Sequence, residues 1–137
     1  MAIVRTLFAG LLSCVLASTA LAQQVEVLWL GHSTFRITSV TGKVIVIDPF
    51  LRTNPRTPAK YKDLSALGKV DLILVTHGHR DHLYDVSELT KLTGARVIAQ
   101  YELAKSLVTA GLLDAAKTPA GMNKGGTTSP LGPGIKI

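Results

Sequence analysis

The sequence predicts an α/β domain built on a mixed sheet, and three observations carry that reading. Short apolar runs come first in series, at residues 25–30, 34–38 and 44–47. Strand and helix patterns then alternate from residue 70 to residue 110, the order expected of β-helix-β units. The run Val44-Ile45-Val46-Ile47 is apolar at every position, as a strand covered on both faces must be.

Residues 25–30 alternate well enough for a first strand, broken by Gly31 and Ser33. The second and third strands, 34–38 and 44–47, are joined through the turn Thr41-Gly42-Lys43. Pro49, Pro55 and Pro58, with Arg52, Arg56, Lys60 and Lys62, argue against a regular element between 49 and 62. Residues 63–68 fit a short helix, capped by Asp63 and stopped by Gly68. Residues 70–76 form the next buried strand. A helix over 85–93 should end at Gly94, with Val86, Leu89 and Leu92 on its apolar face. A strand at 96–99 and a helix over 101–110 ending at Gly111 follow. Beyond Thr118 periodicity is lost in a Gly-, Pro- and Thr-rich stretch, and Gly134-Ile135-Lys136-Ile137 reads as the opening of another strand.

Chemistry concentrates in His77-Gly78-His79-Arg80-Asp81-His82, which holds three of the chain's four histidines. Neutral imidazoles and a carboxylate are the donors that zinc and similar divalent ions prefer. His77 and His79 are two apart, so in extended chain both point the same way and can share one ion. Asp81 and His82 lie past the strand end, where a loop can turn them toward a second ion. Two ions held side by side polarise a substrate and generate hydroxide at neutral pH. The ions expected are therefore two divalent metals, zinc first and manganese as the alternative.

This motif after a hydrophobic strand resembles the His-X-His-X-Asp-His signature of the metallo-β-lactamase superfamily. Leu28-Trp29-Leu30-Gly31-His32-Ser33-Thr34-Phe35-Arg36-Ile37, Val44-Ile45-Val46-Ile47-Asp48-Pro49-Phe50 and Gly121-Met122-Asn123-Lys124-Gly125-Gly126-Thr127 resemble its metal-dependent hydrolase branch. That branch includes ascorbate-phosphate lactonase-like and N-acyl-phosphatidylethanolamine phospholipase-like enzymes. The resemblance implies the N-terminal half of an αββα sandwich, and a metal-activated hydroxide attacking an ester, lactone, amide or phosphodiester in a small-molecule substrate. It also implies that Asp81 binds the second ion and accepts a proton there. Family members supply a third histidine, a bridging aspartate and a final histidine later in the chain, whereas no histidine follows His82 here. The expectation is a domain over 23–137 truncated at its C-terminus and inactive alone. The alternative is a non-catalytic remnant or metal-binding module.

Other residues carry two readings each. His32, in the turn after the first strand, is a structural hydrogen-bonder or a substrate contact. Asp48, at the end of an apolar strand, orients a ligand imidazole or caps the next turn; a buried carboxylate there needs partners either way. Asp85 reads as an acid favourable at a helix N-terminus. Arg80 faces solvent or steers an anionic substrate, and Lys124 is a weaker candidate for an anion contact.

The chain's 137 residues allow one domain, and its 47% hydrophobic and 18% charged content is that of a globular protein. Removing a leader over 1–22 leaves about 115 residues, enough for a modest core but not for the whole four-layer sandwich. The leader has a positive start at Arg5, an apolar stretch from Leu7 to Leu16 and Ala20-Leu21-Ala22 before Gln23, which predicts export to the periplasm or beyond. Lipidation at Cys14 is the rival reading. As Cys14 is the sole cysteine, cleavage leaves no disulfide and no thiolate ligand. The net charge of +6 comes without arginine-rich runs or interleaved aromatics, which excludes nucleic-acid reading and does not by itself indicate a membrane surface.

Overall fold

The computed structural model describes residues 24–118 and 121–137, so the expected leader and Cys14 lie outside the described residues. Five strands form one mixed sheet in the order β1-β2-β3-β4-β5: Glu26–Trp29, Phe35–Thr38, Val44–Ile47, Leu72–Leu74 and Arg96–Ile98. The first three pair antiparallel, with Trp29 opposite Phe35 and Phe35 opposite Ile47. From β3 onward the pairing is parallel, Ile45 beside Leu72 and Leu72 beside Arg96. Strands β1, β3, β4 and β5 therefore run the same way, and only β2 is reversed. The carboxyl ends of these four share one edge, where α/β sheets place their ligands.

Side-chain alternation explains why β3 is apolar throughout. Val44 and Val46 join the larger core with Ile73, Val97, Leu89 and Leu107, beneath the helices. Ile45 faces the other way, with Leu72 and Ile98 in a smaller cluster covered by Met122, Leu131, Ile135 and Ile137. The expected strand at 134–137 does not form. Instead, Ile137 and Thr128 exchange two backbone hydrogen bonds, and the apolar side chains of this segment lie on the sheet.

Helices α1 (Arg80–Leu83), α2 (Val86–Thr93) and α3 (Tyr101–Thr109) follow the fourth and fifth strands. Gly94 ends α2 in the left-handed conformation, φ 69°, as its position predicts. The apolar face of α2 differs from expectation: Leu92 is 53% exposed, while Val86, Leu89 and Thr90 are buried. Thr90 tolerates burial because its hydroxyl donates to the Val86 carbonyl at 2.7 Å. The short helix expected at 63–68 is a 3-10 helix, Leu64–Leu67, with the Asp63 carboxylate accepting from the Ser65 N–H and Gly68 at its C-cap. A second 3-10 turn, Ala59–Lys62, occupies part of the proline-rich stretch.

That stretch is irregular but tied down. Thr34 donates to the Asp48 carbonyl and accepts from the Phe50 N–H, and the buried Asn54 donates to the Phe50 carbonyl. Asp85 stands at the N-terminus of α2, as expected, but its carboxylate is engaged elsewhere. It makes no capping bond to α2; its fully buried carboxylate accepts the N–H groups of Leu51 and Arg52 and pairs with the Arg52 guanidinium at 2.5 Å. The acid thus anchors the loop after β3, and the hydrogen bond to Asp85 raises the Arg52 pKa.

Candidate metal centre

All four candidate ligands, with His32 and Asp48, lie at the carboxyl edge of the sheet. His32 follows β1, Asp48 follows β3, and residues 77–82 follow β4. Asp81 and His82 occupy the helical turn α1 rather than the expected loop, with His79 at its N-cap. This helical turn stands His82 near both His77 and His32, and Asp81 near His32.

The expected pairs are adjacent. His77 Nε2 lies 2.9 Å from His79 Nδ1, and His82 Nε2 lies 4.0 Å from Asp81 Oδ2. The imidazoles of His77 and His82, 3.9 Å between centroids and tilted by 51°, join the two pairs. His32 adds itself to the second pair: His32, Asp81 and His82 each offer a ligand atom within 4.8 Å of the others. His32 Nε2 is 2.6 Å from Asp81 Oδ2, and this bond, helped by Asp81's own backbone N–H, holds the Asp81 carboxyl below its usual 3.8.

Asp48 is the hub beneath the histidines. Its Oδ1 accepts the Thr76 N–H at 2.8 Å, and its Oδ2 accepts both the Thr76 hydroxyl at 2.7 Å and His82 Nδ1 at 2.9 Å. His77 Nδ1 in turn lies 3.0 Å from the Thr76 oxygen. With the Thr76 proton committed to Asp48, His77 Nδ1–H is the donor and Thr76 the acceptor. Both His77 and His82 then carry an unprotonated Nε2, His77's accepting the Nδ1–H of His79 at 2.9 Å, and an unprotonated Nε2 is the form that binds a metal. Ser33 Oγ stands 3.1 Å from His82 Nδ1 and closes the same network. The donor set fits a divalent ion on this count: neutral imidazoles of fixed tautomer converge with an ionised carboxylate.

Thr76 and Ser33 escaped the sequence reading. Thr76 directly precedes the motif and Ser33 directly follows His32, but hydroxyls in those places have many structural uses. The remaining candidates sit outside the cluster. Arg80 is exposed, with its guanidinium 4.8 Å from the centre of the Tyr84 ring, and Lys124 is exposed in its loop.

Three comparisons agree with the fold. Residues 26–126 match the model of the beta-lactamase superfamily domain. The chain is 53% identical over 112 residues to a UPF0173 metal-dependent hydrolase of Cupriavidus necator, covering 82% of this chain and 38% of that protein. A UPF0173 metal-dependent hydrolase of Polaromonas is 50% identical over 131 residues, covering 96% of this chain and 47% of the relative. The chain thus spans less than half the length of the curated relatives it matches. Among solved structures, Igni18, a metallo hydrolase from the archaeon Ignicoccus hospitalis, superposes with a TM-score of 0.64 at 33% identity, over 77% of this chain and 42% of that one. Its mixed sheet, its helices and the span of the match identify this chain as a member of the beta-lactamase superfamily domain family.

Proposed function

We propose that the chain is the N-terminal portion of a metal-dependent hydrolase. His77 and His79 would hold one divalent ion, and Asp81 and His82 a second. Bound ions supply Lewis-acid polarisation of the scissile group and acidify water. The chain's own residues do the rest. Asp48 and Thr76 fix the imidazole tautomers, and Asp81 would accept a proton. The substrate class proposed is a small ester, lactone, amide or phosphodiester, and a leader over 1–22 would place the reaction outside the cytoplasm. The single observation behind the reading is the Asp48 network, which holds the ring protons of His77 and His82 on Nδ1 and so leaves both Nε2 atoms unprotonated.

Each ion receives two ligands from this motif, fewer than zinc's usual four. The 137 residues alone should therefore bind zinc weakly and turn over negligibly, with activity belonging to a protein of the relatives' length. Calorimetric zinc titration of the metal-free chain, beside its His77→Ala/His79→Ala variant, tests the ligands. Weak uptake that the double substitution reduces is expected, and uptake unchanged by it would overturn the assignment. Extending the chain to the relatives' length should confer hydrolysis of a chromogenic ester, lactone or diester with zinc or manganese. A folded, metal-loaded extended protein inert toward all of them would favour the non-catalytic metal-binding reading.

A further inference from the structure

Two non-glycine residues hold a positive φ among the described residues: His32 at 52° and Asp48 at 45°. Such backbone is uncommon outside glycine and persists where surrounding contacts enforce it, often at functional sites. Each of the two reaches one member of the adjacent pair Asp81-His82. Asp48 bonds His82, and His32 bonds Asp81.

The turn that carries His32 is braced on several sides. The Trp29 indole N–H donates to the His32 carbonyl at 2.9 Å. Leu30 N–H donates to the Thr34 carbonyl, Thr34 N–H to the Gly31 carbonyl, and the Thr57 hydroxyl to the Leu30 carbonyl. Gly31, at φ 99°, lies against the Arg56 backbone, where a Cβ would come within 2.9 Å of the Arg56 carbonyl carbon. Asp81 has no comparable support. It sits in the first turn of a four-residue helix with its side chain 48% exposed, and its side-chain hydrogen bond goes to His32.

We propose that His32 is a positioning residue that fixes the Asp81 carboxylate for the second ion, by donating Nε2–H to Oδ2, rather than a ligand or a substrate contact. This rests on the metal reading above. Two donors on one zinc at tetrahedral angles stand about 3.3 Å apart, and a shared ion spans at most about 4.2 Å. His82 Nε2, 4.0 Å from Asp81 Oδ2, is within that span, whereas His32 at 2.6 Å is at charge-assisted hydrogen-bond distance. His32 therefore stands to Asp81 as Asp48 stands to His82: a braced residue outside the ligand set, which sets the direction of the ligand beside it.

The imidazole tautomers of the full 137-residue chain test this directly by two-bond 1H–15N spectroscopy at pH 8. Expected is an Nε2–H tautomer for His32 in the metal-free protein, with that proton retained when zinc is added. An Nδ1–H tautomer, or loss of the Nε2 proton on zinc addition, would overturn the proposal, the latter by making His32 a ligand. Zinc affinity gives the second arm. His32→Ala should weaken it about 10–100-fold, and His32→Gln, whose amide can still donate, should restore most of the loss. Alanine and glutamine carry the same left-handed backbone penalty, so their difference reads the hydrogen bond. Equal losses in the two variants, or none in His32→Ala, would overturn it. A wild-type chain that takes up no zinc would sink the metal reading, while the metal-free tautomer would still decide whether His32 holds Asp81.

Discussion

Asp48 receives the Nδ1–H of His82 across 34 positions of sequence, and it does so from a buried site at the end of β3 with its backbone in the left-handed region. The contact links the interior of the sheet to the open edge where the imidazoles converge. Through Thr76 the same carboxylate also governs His77, which it does not touch.

Asp48→Ala should therefore act on stability and metal affinity together. It strands the Thr76 N–H and a ring nitrogen of His82 without their acceptor, at a cost of about 2–4 kcal/mol. Zinc affinity should fall about 10–100-fold as the tautomers become free. Asp48→Asn tolerates the left-handed backbone and keeps one acceptor, so it should fall between the two. Urea unfolding and zinc titration of the three proteins measure both effects, and an unchanged zinc affinity in Asp48→Ala would contradict the relay.

Arg52→Ala leaves the Asp85 carboxylate buried with two backbone donors but no counter-charge. A loss of about 1–3 kcal/mol is expected, because the carboxylate is buried but the Arg52 side chain is 42% exposed and solvent screens part of the pair. The Arg52→Ala/Asp85→Asn protein should recover part of that loss, because the uncompensated charge is gone. A double-mutant cycle by chemical denaturation reads the coupling, expected at about 1–3 kcal/mol.

Acid should weaken the fold partly through Asp71. Burial pushes its carboxyl up, but the Lys69 ammonium, the Val44 N–H and the Lys43 charge together hold it below the usual 3.8. Lys69 Nζ lies 2.8 Å away, and the Val44 N–H donates to Asp71 at 2.9 Å. A folded pKa below the unfolded one means that the unfolded chain binds the proton first. The stabilisation is then fully present above about pH 4 and is lost as pH falls through the folded value. Asp71→Asn should flatten that part of the stability-versus-pH curve, measured by thermal unfolding between pH 2 and pH 6. An equally steep acid limb in the variant would remove Asp71 from the account.

Period and punctuation made most of the architecture legible. The all-apolar run at Val44–Ile47, the glycine ending α2 and the histidine motif after β4 each announce themselves within a few residues. What stayed hidden depends on distant partners. The helical turn Arg80–Leu83 is too short to show a period, and Leu92 fits an apolar spacing although Thr90 takes the buried place beside Leu89. Asp85 resembles a capping acid by position, yet the loop after β3 claims its carboxylate. The pairing of His32 with Asp81 needs β1 and β4 to end on the same edge, which the order of the sheet decides and no local pattern reports.

Sheet order also bears on how the cluster comes into being. The bond from Asp48 to His82 closes 34 residues of chain and the one from His32 to Asp81 closes 49. The entropy of closing two loops so similar in length differs by only about 0.3 kcal/mol. Neither bond has a kinetic head start over the other. Registration of β3 beside β4 shortens both searches at once, so the cluster should mature in a single step late in the assembly of the sheet, not one ligand at a time.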